Sequence, residues 1–501
     1  MENLKKQRQN KKINAGGNLL SQQVSSFLSD VFSSQNAVKS TLNIQADIQS
    51  ELHIQPTLTL ALSGGLDSCV LLHTLANIRQ SVDFNLTAHH VHHGLSVHAD
   101  TWADFCQTIC DQLNIPLTIS TVNINPNSHS GIEAAARKAR YSALISKSSG
   151  LICTAHHQDD QAETLLLQLA RGAGVKGLAA MARVDYKRKL LRPLLNIPRA
   201  DLESYARLNQ LIWVDDESNL NQQFDRNFMR HSILPALQQQ YPAIKQNLAR
   251  TANHLAEANA LLDELAEQDT QACITVNQPI SQLYLPPLMM LSQPRINNVL
   301  RWWLAQNHVQ MPSTSQLQQI AVQLLQAKSD AAIHIKLNLE NIKLNSESTD
   351  NSDEKPAELT LKRYQNRAYL ITGNIDNLLL NTTWENESVI HLPNQDTLFF
   401  SQKMGEGFAI KHLTNKQLVI KNRVGGERLK PDLNRPSRSL KVLLQMSGVP
   451  PWQRERLPLI FMDEMLVIVP NIGAQTNSQL VNVNLKAAAD EMGLLVFWHQ
   501  N

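Results

Sequence analysis

The sequence predicts a mostly parallel, doubly wound α/β domain followed by two smaller α+β domains. Three observations carry this. From Thr57 to Asn209, short apolar strands alternate with amphipathic helices, the pattern of a parallel sheet covered on both faces. Clusters of Gly, Ser, His and Asp fall at the ends of the strands, the edge where open α/β sheets bind ligands. A chain of 501 residues has room for roughly three domains of ~100–200 residues each.

The strands read as Thr57–Leu62, Phe84–His92, Ile115–Ile124, Gly150–Ala155 and Arg188–Leu195. Between them, Cys69–Ile78, His98–Leu113, Gly131–Ser146 and a run to Leu169 read as helices, and Ile197–Asn209 follows with Pro198 in its first turn. After the first strand stands Ser63-Gly64-Gly65-Leu66-Asp67-Ser68. Strand, Gly-rich turn and helix make a phosphate cradle. Paired glycines let the backbone approach a ligand, and the free N–H groups and dipole of the helix start favour an anion. Asp67 is out of place among phosphates until a cation joins it, which makes it the expected Mg²⁺ ligand. The loop lacks the lysine of G-x-x-x-x-G-K-[ST], so it is not a Walker A loop. The bland alternative is a tight turn with a capped helix.

Five histidines lie between 89 and 98. Strand alternation turns neighbours to opposite faces, so His89, His90, His92 and His93 do not converge on one ion. Cys106 and Cys110 share a helix stripe with Trp102, Phe105, Ile109 and Leu113, which reads as core and not as a redox pair. Arg137 and Arg140 lie with Glu133 on one helix face and serve equally as a surface ion pair or a phosphate grip. Two histidines and three acids crowd the junction Thr154–Thr164. A helix cap explains Asp159 or Asp160 but not both, and the pair suits Mg²⁺ binding or proton transfer, undivided between them.

Beyond this, 241–272 reads as a long linker helix, and 273–373 as a middle α+β domain with strands Ala331–Leu339 and Glu358–Ile371. Trp302 and Trp303 are adjacent on a helix, so one is core and at most one can stack on a base. Asn374–Glu387 is a linker, and Ser346–Pro356 reads as a disordered loop. In the last domain, 388–501, nine basic residues stand between Lys411 and Lys441 against Glu427 and Asp432, which reads as a phosphate-backbone patch. Residues 1–50 form a polar extension, with 1–15 expected to be disordered, and 51–240 is the catalytic domain.

Net charge is only +2, so a nucleic-acid surface must be local. No apolar run approaches the ~20 residues of a membrane span, and the N-terminus lacks a signal-peptide core. Five scattered cysteines form no disulfide framework and point to a reducing compartment, the cytoplasm.

SGGLDS resembles the PP-loop of the ATP pyrophosphatases, and several spaced motifs together resemble the tRNA(Ile)-lysidine synthases. They are His90–Leu95, Glu133 with Arg137, Arg140 and Tyr141, Thr154–Thr164, Arg171–Gly174, and Asp216-x-Ser218-Asn219 with Arg226, Asn227 and Arg230. Farther on, Arg301-x-Trp303-Leu304, Arg363-Tyr364 and Gly448–Trp452 are similar to the longer family members. The resemblance implies a Rossmann-like, adenine nucleotide alpha hydrolase-like fold. It implies a reaction in which ATP adenylates the C2 carbonyl oxygen of the wobble cytidine in the CAU anticodon of tRNA(Ile). L-lysine then displaces AMP to give lysidine. ATP and Mg²⁺ are the implied cofactors. No fixed protein partner is expected, and a homodimer stays open. Ser63, Gly64, Gly65, Leu66, Asp67, Ser68, His90 and His156 are the expected nucleotide contacts. Asp67 and Asp160 are the expected metal ligands, and Asp67, Asp159, Asp160, Arg137 and Arg140 the expected catalytic set. The rivals are a PP-loop tRNA thiolase, disfavoured by the lack of C-x-x-C, a glutamine-dependent amide synthase, which lacks a visible amidotransferase domain, and a non-catalytic tRNA-binding protein. The extension at 1–50 and the acidic loop near 350 depart from the family pattern.

Overall fold

The computed structural model describes residues 19–34, 55–94, 96–123, 132–148, 150–217, 221–274, 280–327, 333–339, 359–372, 380–393, 396–414, 416–434, 436–470 and 479–499. The side chains of 132–134 also lie outside the description, which includes Glu133. So do Leu95, Ser218, Asn219, Arg435 of the basic run, and the segments 1–15 and 346–356 read above as disordered. The chain divides into two compact units, one built on residues 1–262 and one on 263–341 with 351–501.

The first unit opens with α1 (19–34) and then alternates β1 (Thr57–Ala61), α2 (Leu66–Ile78), β2 (Asn85–His92), α3 (Ala99–Gln112), β3 (Leu117–Thr121), α4 (Ile132–Lys147), β4 (Leu151–Cys153) and α5 (Gln158–Ala170). It continues through α6 (Val175–Leu178), β5 (Val184–Asp185), β6 (Leu190–Leu191), α7 (Arg199–Leu208), α8 (Asp225–Phe228), α9 (Leu234–Gln240) and α10 (Ile244–Gln271). The sheet order is β3-β2-β1-β4-β6-β5. All pairings are parallel except β5 with β6. The strand expected over Arg188–Leu195 is thus a short parallel strand, β6, joined to an antiparallel edge strand. Leu58, Leu60, Leu62 and Leu191 face one core with α2, α3 and α7, while Val91, Ile152 and Leu190 face Leu144 of α4 on the other side. This is the doubly wound sheet that the alternation predicted.

The chain walks from β1 out to β3 and then returns to place β4 on the other side of β1. That reversal opens a crevice at the C-terminal ends of β1 and β4, where open α/β sheets bind ligands. The loops after these two strands carry the SGGLDS and AHHQDD segments.

The polar N-terminal extension carries an amphipathic helix where Leu19–Phe32 shows a weak helical periodicity. Leu20, Val24, Phe27, Leu28 and Val31 of α1 are buried in the core shared with α2 and β1, and the Arg183 guanidinium sits 4.1 Å over the Phe27 ring. Each such apolar side chain contributes about 1.5–3 kcal/mol on burial, enough to dock a helix whose flanks are polar.

The second unit holds two cores. In the first, helices Gln293–Gln306 and Thr314–Gln326 cover an antiparallel four-stranded sheet. The strand expected over Glu358–Ile371 is a hairpin, Leu359–Tyr364 against Arg367–Thr372. It turns at Gln365, whose φ is +52°. Gln is not a usual residue for that conformation, so the turn carried no sequence signal. The second core lies between a five-stranded and a four-stranded antiparallel sheet, with two short helices, Leu440–Met446 and Pro451–Arg456. Trp452 packs edge-on against Tyr369 at 5.3 Å, and Arg454 donates to the Tyr364 hydroxyl at 2.7 Å. Gly448–Trp452 and Arg363-Tyr364 therefore meet. Trp303 is fully buried and donates its indole N–H to the Ile280 carbonyl, which leaves Trp302 half-buried.

Candidate active site

The helix begins inside the SGGLDS segment, not after it. Gly65 is the N-cap of α2, so Leu66, Asp67 and Ser68 form its first turn, where backbone N–H groups have no acceptor within the helix. Gly64 has φ +84°, and a Cβ there would meet Val214 Cγ2 at 3.0 Å and Cys106 Sγ at 3.3 Å. Its carbonyl accepts the Val214 N–H at 3.0 Å. Both the backbone angle and the close approach of 214 therefore demand glycine. The Ser68 hydroxyl donates to the Gly65 carbonyl at 2.9 Å and lies 3.1 Å from the Ser63 hydroxyl, which stiffens the loop. His90, buried at the end of β2, donates from Nδ1 to the Leu62 carbonyl at 2.9 Å and so fixes the residue ahead of the cradle.

The other lip of the crevice is the start of α5. His157 precedes the helix, and Asp160 reaches back to accept its backbone N–H at 3.0 Å. His157 Nε2 stands 3.5 Å from Asp67 Oδ2 and 3.5 Å from Asp160 Oδ2, so it links the two lips. Burial works against a charge on this imidazole, but Asp160, Asp67 and Asp159 outweigh it and raise its pKa. Asp67 Oδ1 is buried and has no hydrogen-bond partner among the described residues.

Both carboxylate oxygens of Asp160 take part in the network. Its Oδ1 accepts from Arg226 at 2.9 Å and from Arg230 at 3.0 Å, while Oδ2 faces His157. Burial opposes its charge, yet His157, Arg226 and His156 hold the carboxyl far below the usual range. Glu163, 1% exposed, accepts from Arg226 Nε at 2.9 Å and Arg230 Nε at 2.6 Å. Asp159 turns the other way. It accepts from Lys245 Nζ at 2.6 Å and from the Arg199 N–H at 3.3 Å. It lines a cavity of about 620 Å³ with His157, Glu163, Arg199, Glu203 and Lys245.

The structure therefore gathers Asp67 and Asp160 around His157, and sends Asp159 into the neighbouring cavity. His156 shares a 2.8 Å hydrogen bond with Thr154 Oγ1, and burial, reinforced by Arg226, Arg192 and Arg137, pushes it down to about 3. Arg137 and Arg140 flank the Tyr141 ring, their guanidinium carbons 5.1 and 5.9 Å from its centre. The histidines of β2 part company as alternation predicts: His89 meets Ser120, His90 meets Leu62 and His92 meets Asp100. All five cysteines are free and buried, and burial pushes Cys106 and Cys110 up to about 12.

Sequence reasoning gave no role to His157, Glu163 or Lys245, and it named Arg226 and Arg230 only as part of a motif resembling the family's, without a role. A signal existed for three of these, Glu163, Arg226 and Arg230. Asp160 and Glu163 share one helix face at i, i+3, and Arg226 and Arg230 share another at i, i+4, so the two stripes are complementary. Lys245 carried none, because a lone lysine at a helix start is ordinary.

The basic run of the second unit is partly neutralised. Lys411 pairs with Glu491, Lys416 with Asp463 at 2.9 Å and Arg423 with Glu427 at 3.4 Å. Two of these acids lie outside the stretch where charges were counted. Arg428, Lys430, Arg438 and Lys441 have no ion pair among the described residues.

A family model for the PP-loop domain matches residues 35–237, one for the TilS substrate binding domain matches 283–369, and one for the TilS substrate C-terminal domain matches 418–486. The tRNA(Ile)-lysidine synthase of Nitrosomonas europaea is 38% identical over 459 residues, which covers 90% of this chain and 94% of that protein. Its counterpart in Coxiella burnetii is 38% identical over 417 residues, 82% of this chain and 87% of that one. In Pectobacterium atrosepticum the figures are 37% over 427 residues, 82% and 89%. At that identity over nine-tenths of its length, the chain belongs to the tRNA(Ile)-lysidine synthase family.

Proposed function

We propose that the first unit joins lysine to C2 of the wobble cytidine of a CAU-anticodon tRNA(Ile), using ATP and releasing AMP and diphosphate. The observation that carries the reading is the junction of cradle and acid cluster. Asp67 lies in the first turn of the phosphate-cradling helix, and His157 ties it to the α5 lip while its Oδ1 stays unpartnered.

In the first step the cytidine O2 attacks the α-phosphate of ATP and diphosphate leaves. The N–H groups of Leu66, Asp67 and Ser68, with the Ser63 and Ser68 hydroxyls, are placed to hold the departing charge. The orphaned Asp67 oxygen fits one hard cation that takes its other ligands from phosphate and water. Mg²⁺ bound there would neutralise phosphate charge. Asp160 does not fit as a second ligand, since both its oxygens are engaged. We assign it instead to positioning His157, Arg226 and Arg230. His90 holds the loop through Leu62, and neutral His156, bonded to Thr154, is the hydrogen-bonding group we assign to the nucleotide.

In the second step lysine's amine attacks C2 and AMP leaves. Three ion pairs border the 620 Å³ cavity: Asp159–Lys245, Glu163–Arg230 and Glu203–Arg199. Balanced charges of both signs suit a zwitterion carrying a further ammonium, and Asp159 is the carboxylate placed to orient it. The buried thiols argue against sulfur chemistry, and five free cysteines fit a cytoplasmic protein. Among the described residues no helix is long and apolar enough to cross a membrane.

The test follows products. With ATP and the CAU-anticodon tRNA, the protein should release diphosphate, and AMP should appear only once lysine is added. ADP and orthophosphate as products would overturn the reading.

A further inference from the structure

We propose a second phosphate-binding subsite on the α4 face of the sheet's C-terminal edge, formed by Arg192 with Arg137 and Arg140, with β4 lying between it and the Gly64–Ser68 cradle. It rests on the nucleotide and tRNA chemistry proposed above.

Strand alternation places Arg192. Leu190 packs on the α4 face with Val91, Leu144 and Ile152, and Leu191 packs in the core on the opposite face. The next residue returns to the α4 face. Arg192 is 5% exposed. Its NH1 donates to the Ala182 carbonyl at 2.6 Å, but its Nε is buried with no acceptor among the described residues. Tyr141 of α4 packs against the same apolar cluster, and the guanidinium carbons of Arg137 and Arg140 lie 5.1 and 5.9 Å from its ring centre. Thr154 lies alongside, its N–H on the Leu191 carbonyl at 2.9 Å, and leads to His156.

Among the described residues no carboxylate within ion-pair distance compensates the charge here, and none of Arg137, Arg140 and Arg192 has an ion pair. Asp185, the acid acting on Arg192, is itself held by Arg188. His156 feels the same positive field from Arg192 and Arg137. A buried guanidinium N–H with no acceptor, beside two exposed guanidiniums, calls for an anion with several oxygens, which a phosphate supplies.

The cradle follows β1 and Arg192 follows β6, two strand spacings away, or roughly 10 Å. One phosphate does not reach both the cradle backbone and Arg192. The second anion is therefore another phosphate of the nucleotide or a phosphodiester of the tRNA beside the reacting base.

The test compares full-length wild type with Arg192→Gln, Arg192→Lys and Arg137→Gln, with folding checked by thermal melting. Binding is measured separately for ATP and for a CAU-anticodon stem–loop RNA, and KM for L-lysine in turnover. Arg192→Gln should weaken one phosphate ligand roughly tenfold, and Arg192→Lys should recover part of it. Loss confined to the RNA, with a salt slope lower by about 0.7–0.9, identifies a phosphodiester, and loss confined to ATP identifies the nucleotide. Unchanged binding of both in a folded Arg192→Gln protein, or an effect confined to lysine, overturns the subsite. If Arg192→Gln does not fold, Arg137→Gln decides by the same outcomes. A wild type that binds both ligands yet makes no lysidine would sink the function and leave the subsite to stand on its binding data.

Discussion

Asp67 Oδ2 and His157 Nε2 stand 3.5 Å apart, joining the helix start after β1 to the helix start after β4. Asp67 Oδ1 has no hydrogen-bond partner among the described residues. Replacing Asp67 with Asn keeps the shape and removes the charge. Diphosphate release should fall by about 10²–10³-fold, the usual worth of one electrostatic group at developing charge, while tRNA affinity stays within a few-fold. Release near the wild-type rate would show that the carboxylate is not used.

Glu163 is nearly fully buried against Arg226 and Arg230. Glu163→Ala would strand two guanidiniums, with only Asp160 left to compensate them. Breaking such a buried group by removing one partner costs about 3–5 kcal/mol, so denaturant melts should show a shift of that order. A shift under about 1 kcal/mol, the scale of an exposed pair, would mean the network is solvated.

His156 is held at about 3 against an ordinary 6.5. Between those values the native imidazole is neutral and the unfolded one is protonated. The unfolded state binds the extra proton, so this group costs stability as pH falls below 6.5. His157 runs oppositely: its raised pKa adds stability below the unfolded value, lost as pH rises through the folded one. Asp160, held low, contributes above the ordinary carboxylate range and loses it only in stronger acid. His156→Asn should therefore flatten the pH dependence of stability by about one proton between pH 6.5 and about pH 4. Parallel curves for the two proteins would contradict the assignment.

Cys106 and Cys110 are fully buried and poorly nucleophilic. Changing both to Ala should cost about 1 kcal/mol per site from lost packing. Turnover per folded molecule should stay within a few-fold. A folded double variant without any activity on tRNA would revive sulfur chemistry.

In the second unit, Lys430 and Lys441 lack ion pairs among the described residues, whereas Lys411 and Lys416 are paired. Lys430→Gln with Lys441→Gln should lower the slope of log K for tRNA against log salt by about 1–2. Lys411→Gln with Lys416→Gln should change it less. Equal effects would show that the pairs do not hold in solution.

The sheet and its site edge were legible because apolar period and strand-end chemistry are local signals. Thr57–Ala61 and Leu66–Ile78 stand close to their expected bounds. What stayed hidden depends on distant residues. Arg226 and Arg230 stand 66 and 70 positions beyond Asp160, so the ion pairs they make with it are not legible in its own segment. The α1 helix showed only as a weak periodicity over Leu19–Phe32, because Gln, Asn and Ser dominate its surroundings while five apolar side chains form one buried stripe. The Gln365 turn broke a strand with no Gly or Asn at the position of positive φ.

The most direct test is transfer of labelled L-lysine to a CAU-anticodon tRNA(Ile) transcript. The account predicts label in the wobble nucleoside, dependent on ATP and slowed by about 10²–10³-fold in Asp67→Asn. Lysine left free in solution while the wobble base acquires sulfur, or label transferred without ATP, would contradict it.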